Sequence, residues 1–147
     1  MERYMLDTTV YNHMLNRELS FLELEEADYY CTQIQITELG GTNNFEKRIK
    51  LFKVFDETES GSIPIETFVL DTTPLGHSKI GPGSKYIEIL ETMNRIKKDK
   101  NNIKDSLIAE TAYIQGMILV TGDKNLCKAC KELGIPVKTL DEITRKN

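Results

Sequence analysis

The apolar positions of this chain fall into short continuous runs that alternate with stretches of helical periodicity. Tyr4-Met5-Leu6 is the first run; it stops at Asp7, and a helical stretch follows from about Val10. Tyr29-Tyr30-Cys31 is a second, aromatic-rich run. Residues 33–40 then read as a helix, with Ile34 and Glu38 at i and i+4, and Gly40-Gly41 as the usual stop signal. Residues 44–57 form an amphipathic helix in which Phe45, Ile49, Phe52 and Phe55 recur at helical spacing, with Lys47, Lys50 and Lys53 on other positions. Ser62 to Leu70 is β-like, through Ile63, Ile65, Phe68, Val69 and Leu70. Pro74, Gly76, Gly81, Pro82 and Gly83 mark a loop.

The second half repeats the alternation. Tyr86, Ile89, Leu90, Met93 and Ile96 mark a helix that breaks at Lys97-Lys98-Asp99-Lys100-Asn101-Asn102. Residues 105–115 are helical again, with Leu107, Ile108, Thr111 and Ala112 inward. Met117 to Val120 is a continuous apolar run of the kind found in a strand buried on both faces. Thr121-Gly122-Asp123 follows, then a cysteine-bearing helix over 123–133. Gly134 to Leu140 reads as a turn and a last short strand. Strands alternating with helices predict a parallel sheet with helices on both faces. No repeat, low-complexity tract or linker interrupts the pattern. The 147 residues therefore read as a single domain, 1–147.

Composition narrows the class. Hydrophobic residues are 39% and charged residues 29%, which suits a globular chain better than a disordered one. No apolar run approaches the roughly 18 residues that span a bilayer, and the first residues contain no apolar signal core. The expectation is a cytoplasmic protein with no membrane association. Three cysteines, an odd count, argue against a disulfide framework. Cys127-x-x-Cys130 has the spacing of a redox or zinc half-site, but only Cys31 could join it, and His13 and His77 are distant in sequence. On a helix over 123–133, Leu126, Cys127, Cys130 and Leu133 share the apolar face, which favours buried, inert thiols.

Candidate chemistry lies with the acids. Asp7 and Asp123 each stand just past the carboxyl end of a predicted buried strand. In open α/β sheets ligands bind outside those ends, where strand order reverses. If the first and fourth strands are neighbours, Asp7 and Asp123 face each other. Asp105 opens a predicted helix, and Glu38 lies late in another. Each acid also has a structural reading: Asp is a favoured N-cap, and Glu38 could be one more solvated helix acid. The four motifs in this order are less easily explained that way.

Leu6-Asp7-Thr8-Thr9-Val10 resembles the opening motif of the PIN-domain family. Thr37-Glu38-Leu39 with Gly41 resembles its second acidic motif, residues 105–112 its third, and Leu119 to Leu126 its fourth. The resemblance spans residues 4 to about 141. It implies a three-layer α/β/α sandwich around a mostly parallel central sheet. It also implies a ribonuclease whose carboxylates Asp7, Glu38, Asp105 and Asp123 bind Mg²⁺ or Mn²⁺, with Thr121 as a supporting hydroxyl. Stand-alone chains of this size in the family are commonly toxins paired with an antitoxin protein, and homodimers are common. An RNA-processing nuclease and a non-catalytic binding module of the same fold are the alternatives. The family commonly has Asn where this chain has Thr9, which puts one polar contact in question. The segment from Asp71 to Asn102 matches no part of the family pattern.

The resemblance also changes how the charge reads. The formal charge is −4, whereas nucleic-acid binders are usually basic. A cluster of four carboxylates accounts for a charge of that size, and bound divalent cations would offset it. Oxygen-only ligands suit hard cations. Lys97, Lys98, Lys100 and Lys104 read first as a solvated connector, and Lys47, Lys50 and Lys53 as a polar helix face. Either group could gather an RNA backbone. His13 and His77 read as surface or capping residues. Glu110, about 140° around a helix from Asp105, falls outside the site. A haloacid-dehalogenase-like phosphatase would need an Asp at Thr9, and a receiver domain an adjacent acidic pair where Asp7 stands alone.

Overall fold

Successive side chains of a strand point to opposite faces of its sheet, so a strand that is apolar throughout needs cover on both sides. The strand β1 (Arg3–Leu6), apolar from Tyr4 onward, sends Tyr4 and Leu6 to one face and Met5 to the other. All three are fully buried. The computed structural model describes residues 1–65 and 84–145. Its further strands are β2 (Asp28–Cys31), β3 (Gly61–Ser62), β4 (Ile118–Val120) and β5 (Val137–Lys138). They form one parallel sheet in the order β3-β2-β1-β4-β5.

Helices cover both faces. The helices are α1 (Thr8–Asn16), α2 (Gln33–Gly40), α3 (Phe45–Thr58), α4 (Ser84–Ile96), α5 (Asn102–Ile114), α6 (Lys124–Glu132) and α7 (Leu140–Ile143). Met5 and Leu119 pack with Ile89, Met93, Leu107, Leu126 and Cys130, from α4, α5 and α6. On the other face Tyr4, Leu6 and Val120 pack with Val10, Tyr11, Leu51 and Leu140, from α1, α3 and α7. The result is a three-layer α/β/α sandwich whose central sheet, among the described residues, is wholly parallel.

Strand order fixes where a site can form. From β1 the chain moves outward through β2 and β3, then returns to add β4 and β5 on the other side. The reversal lies between β1 and β4, which pair Leu6 with Val120. The backbone N–H of Asp7 extends that ladder to the Val120 carbonyl at 3.1 Å. Two glycines bring the chain back into the sheet. Gly116 (φ 69) and Gly134 (φ 70) follow α5 and α6 in the left-handed region that side chains disfavour. Behind them Met117 N–H donates to Ala112 and Ile135 N–H to Cys130, both at 2.8 Å. These bonds close each helix end and aim the chain into β4 and β5.

Several expectations are corrected. Asp105 does not open its helix: α5 begins at Asn102, and Asp105 lies in its first turn, because the connector before it is shorter than its polar sequence suggests. Gly41 ends α2 at φ −82, without a left-handed stop. Of the β-like stretch from Ser62, among the described residues Ser62 pairs in β3 with Gly61, and Ile65 joins the core. The rest of that stretch, the glycine- and proline-rich loop and His77 lie outside the described residues. The short α7 and a 3-10 turn at Phe21–Glu23 are additions, each built on a capping box from Thr139 and Ser20. Among the described residues no helix is long and apolar enough to cross a membrane.

Candidate active site

Asp7, Glu38, Asp105 and Asp123 come from four separate elements and line one cleft of about 310 Å³. Asp7 leaves β1 and caps α1; Asp123 leaves β4 by way of Thr121 and Gly122 and caps α6. Glu38 comes from α2 and Asp105 from α5. The structural reading of Asp7 and Asp123 as caps is thus correct as far as it goes: Oδ1 of Asp123 accepts from the backbone of Asn125 and Leu126, at 2.8 and 3.2 Å. Capping cannot explain Glu38 or Asp105, which close no helix end.

Asp7 is held from both sides. Its Oδ1 accepts from the hydroxyl of Thr9, which in turn accepts from the backbone N–H of Gly122 at 2.8 Å. Its Oδ2 accepts from the hydroxyl of Thr121 at 2.5 Å, and that oxygen accepts from the backbone N–H of Asp123 at 3.0 Å. Two threonines therefore link the turn after β4 to the two oxygens of the acid after β1. Thr9 makes the polar contact that its identity had put in question. Thr121, which holds the other oxygen, is fully buried.

The remaining oxygens differ in their engagement. Glu38 accepts from the hydroxyl of Thr8 at 2.8 Å through Oε1. Among the described residues the carboxylate of Asp105 has no hydrogen-bond partner, nor do Oε2 of Glu38 and Oδ2 of Asp123. None is sealed from solvent, since among the described residues the one buried side-chain polar atom without a partner is Oγ of Ser106. Burial pushes the Asp105 carboxyl up to about 8, and the charges of Asp7, Asp123, Glu38 and Asp99 add to the rise. Burial also raises Asp7 to about 6, against the lowering effect of its bonds from Thr121, Thr9 and Val10. The cleft thus offers hard oxygen donors with free lone pairs and a surplus of negative charge. As the side chains stand, no three carboxylate, histidine or cysteine groups among the described residues form a ready-made nest for one ion. Cation binding would need the longer side chains to turn inward.

The rim was less legible in the sequence. Asn12, Asn101, Asn102, Asn125 and Lys97 line the same cleft. Asn102 donates to the Asn94 side chain and the Lys97 carbonyl, both at 2.8 Å, which ties the end of α4 to the start of α5. Of the lysines considered as an RNA track, Lys97 alone reaches the cleft. Glu110 is outside it: fully buried in α5, it accepts from the backbone N–H of Tyr86 at 2.7 Å and secures the first turn of α4.

The thiols divide. Cys31 and Cys130 are buried, and burial pushes both up to about 12. Cys127 is only partly buried, which corrects the expectation that it is a buried thiol like Cys130. His13 packs against Gly122, so closely that a Cβ there would lie 2.3 Å from Cε1 of the ring.

No family model matches the chain, and no curated protein matches it. Solved structures do. The chain is similar to the structure of VapBC2 from Rickettsia felis bound to a DNA fragment from its promoter, at 18% identity and TM-score 0.52, over 93% of this chain and 98% of that one. It is similar to PAE2754 from Pyrobaculum aerophilum, at 14% identity and TM-score 0.54, over 96% and 92% of the two chains. A domain of a functionally unknown protein from Methanocaldococcus jannaschii matches at 17% identity and TM-score 0.54, over 100% and 96%. At such identities the likeness establishes the fold, which is PIN-like.

Proposed function

We propose that this chain is a Mg²⁺- or Mn²⁺-dependent endoribonuclease whose metal ligands are Asp7, Glu38, Asp105 and Asp123. The observation that carries the reading is the convergence of these four acids on one cleft at the point where strand order reverses. Among them, Glu38, Asp105 and Asp123 keep oxygens free for a cation, and their charges repel one another in its absence. A bound divalent cation would lower the pKa of its water and neutralise charge on the phosphoryl oxygens. The chain's own part is positional. Thr9 and Thr121 fix both oxygens of Asp7, Thr8 fixes one oxygen of Glu38, and the α6 turn fixes one oxygen of Asp123. Asn12, Asn101 and Asn125 supply amides at the rim that can meet ribose or phosphate oxygens.

The likeness to VapBC2 supports a finer reading, in which the chain is the toxin of a toxin–antitoxin pair, working in the cytoplasm with a protein antitoxin as partner. A gene for a small DNA-binding protein directly upstream would favour that reading over an RNA-processing role. The test of the activity is cleavage of a structured RNA with Mg²⁺ or Mn²⁺. EDTA should abolish it, and Asp123→Asn or Asp105→Asn should lower turnover at least ~100-fold, as loss of a metal ligand does. Undiminished cleavage in EDTA would overturn the metal-dependent mechanism, and no cleavage with either metal would overturn the activity and favour a binding module of the same fold.

A further inference from the structure

A second cleft, of about 590 Å³, shares Asp123 with the acid cleft and runs along α6. Its walls are α6, the end of α1 at His13 and Arg17, and the start of α7. Lys124, Lys128 and Lys131 fall at i, i+4 and i+7, so they form one stripe along this wall. At 1.5 Å per residue the stripe is about 10 Å long. All three are exposed, and among the described residues none makes an ion pair. Two acids that line the groove are already engaged, Asp141 of α7 by Arg17 and Glu132 of α6 by Arg95. The unpaired charge of the groove is therefore mostly positive, in a chain whose formal charge is −4.

We infer that this groove holds the phosphate backbone of single-stranded RNA next to the bond that is cut, with Lys124, Lys128 and Lys131 gripping the phosphates. The inference rests on the nuclease reading of the acid cleft. An RNA strand whose phosphate lies among the carboxylates has to leave them, and an acidic surface repels it on the way out. The groove begins at Asp123, so the strand passes directly from the acids onto the lysines. A helix carries them, so their spacing is fixed, and ammonium groups bind phosphates without reading sequence. The α3 lysines, by contrast, line neither cleft.

The test uses a fluorescein-labelled single-stranded oligoribonucleotide of ~12 nucleotides, within the span such grooves accept. Binding is followed by anisotropy in EDTA across a salt series. Lys128→Gln with Lys131→Gln should weaken binding about tenfold at moderate salt, and should lower the slope of log K against log salt by roughly 1.4, about 0.7 for each phosphate no longer neutralised. Lys128→Arg with Lys131→Arg should restore both. With metal added, the Gln pair should raise KM and leave kcat within about twofold. Both pairs change exposed residues, and thermal melts verify the fold. If wild type binds and cleaves RNA while the Gln pair matches it in affinity and slope, the groove assignment falls and the nuclease reading stands. If wild type neither binds nor cleaves, both fall. An unchanged RNA affinity with lost binding of a poly-glutamate peptide would also overturn it, in favour of an acidic protein segment.

Discussion

The hydroxyl of Thr121 donates to Oδ2 of Asp7 at 2.5 Å, joining residues 114 positions apart in sequence. Thr9 does the same for Oδ1 from two residues away, and it also receives the N–H of Gly122. The orientation of the most buried acid in the cleft therefore depends on two methyl-bearing hydroxyls.

Replacing Thr9 by Val keeps the shape and removes both of its bonds at once. Thr9→Val should lower stability by about 1–3 kcal/mol, the cost of leaving buried polar groups unmatched, and Thr9→Ser should recover most of it. Urea denaturation of the three proteins measures this. A Thr9→Val variant as stable as wild type would mean that the hydroxyl does not hold the turn.

The raised carboxyls give stability a definite pH dependence without metal. Asp7 and Asp105 move from an ordinary 3.8 to about 6 and about 8 on folding. The folded chain thus keeps protons that the unfolded chain has already lost. Between about pH 4 and 8 the native state binds more protons, so its stability falls as pH rises through that window. In EDTA the loss from pH 5 to pH 8 should be at least ~1–3 kcal/mol. Asp105→Asn should flatten the curve, and ~10 mM Mg²⁺ should offset the loss in wild type. A metal-free melting temperature that rises across this window, with other groups accounted for by the Asn variant, would contradict the assignment.

Gly122 owes its identity to space, since the His13 ring occupies the position of a side chain. Gly122→Ala should cost about 1–2 kcal/mol in wild type, through overpacking. In a His13→Ala background the same change should be nearly neutral, because the obstructing ring is gone. The coupling appears as non-additivity in a double-mutant cycle. Additive effects would mean that the turn itself, and not the histidine, rejects the methyl group.

Cys127 should be the single thiol of the native chain that a disulfide reagent reaches promptly. The thiolate is the reactive species, and burial keeps Cys31 and Cys130 protonated. Cys130→Ala should cost about 1–2 kcal/mol, as for a small core truncation, whereas Cys127→Ala should change stability by no more than ~0.5 kcal/mol. Rapid titration of two or three equivalents before unfolding would refute the division.

Much of this was legible in the chain because period and burial leave plain marks. Tyr4–Leu6 and Met117–Val120 are apolar on successive residues, which a strand covered on both faces requires, and the helix over 33–40 has the bounds its spacing predicts. The position of Asp7 and Asp123 past strand ends was visible too. What local patterns could not reveal was contact across the sheet. Nothing in Thr8 announces Glu38, thirty residues on, and nothing in Cys127 separates it from Cys130 until the helix meets a wall. Asp105 misled for a local reason: the polar run from Lys97 to Asn102 looks like a long break, yet its last residue already starts α5.

The central place of β1 bears on how the molecule is made. A ribosome delivers β1 early and β4 late, so during synthesis one edge of β1 waits, unpaired, for residues 118–120. Exposed backbone on a largely apolar strand is the kind of edge that pairs with the wrong chain. The same delay means that a partly made polypeptide has Asp7, Glu38 and Asp105 but no assembled cleft, because Thr121 and Asp123 have not yet arrived. The cleft can therefore assemble only late, once residues 118–123 and the α6, β5 and α7 segments that cover β1 and β4 have emerged.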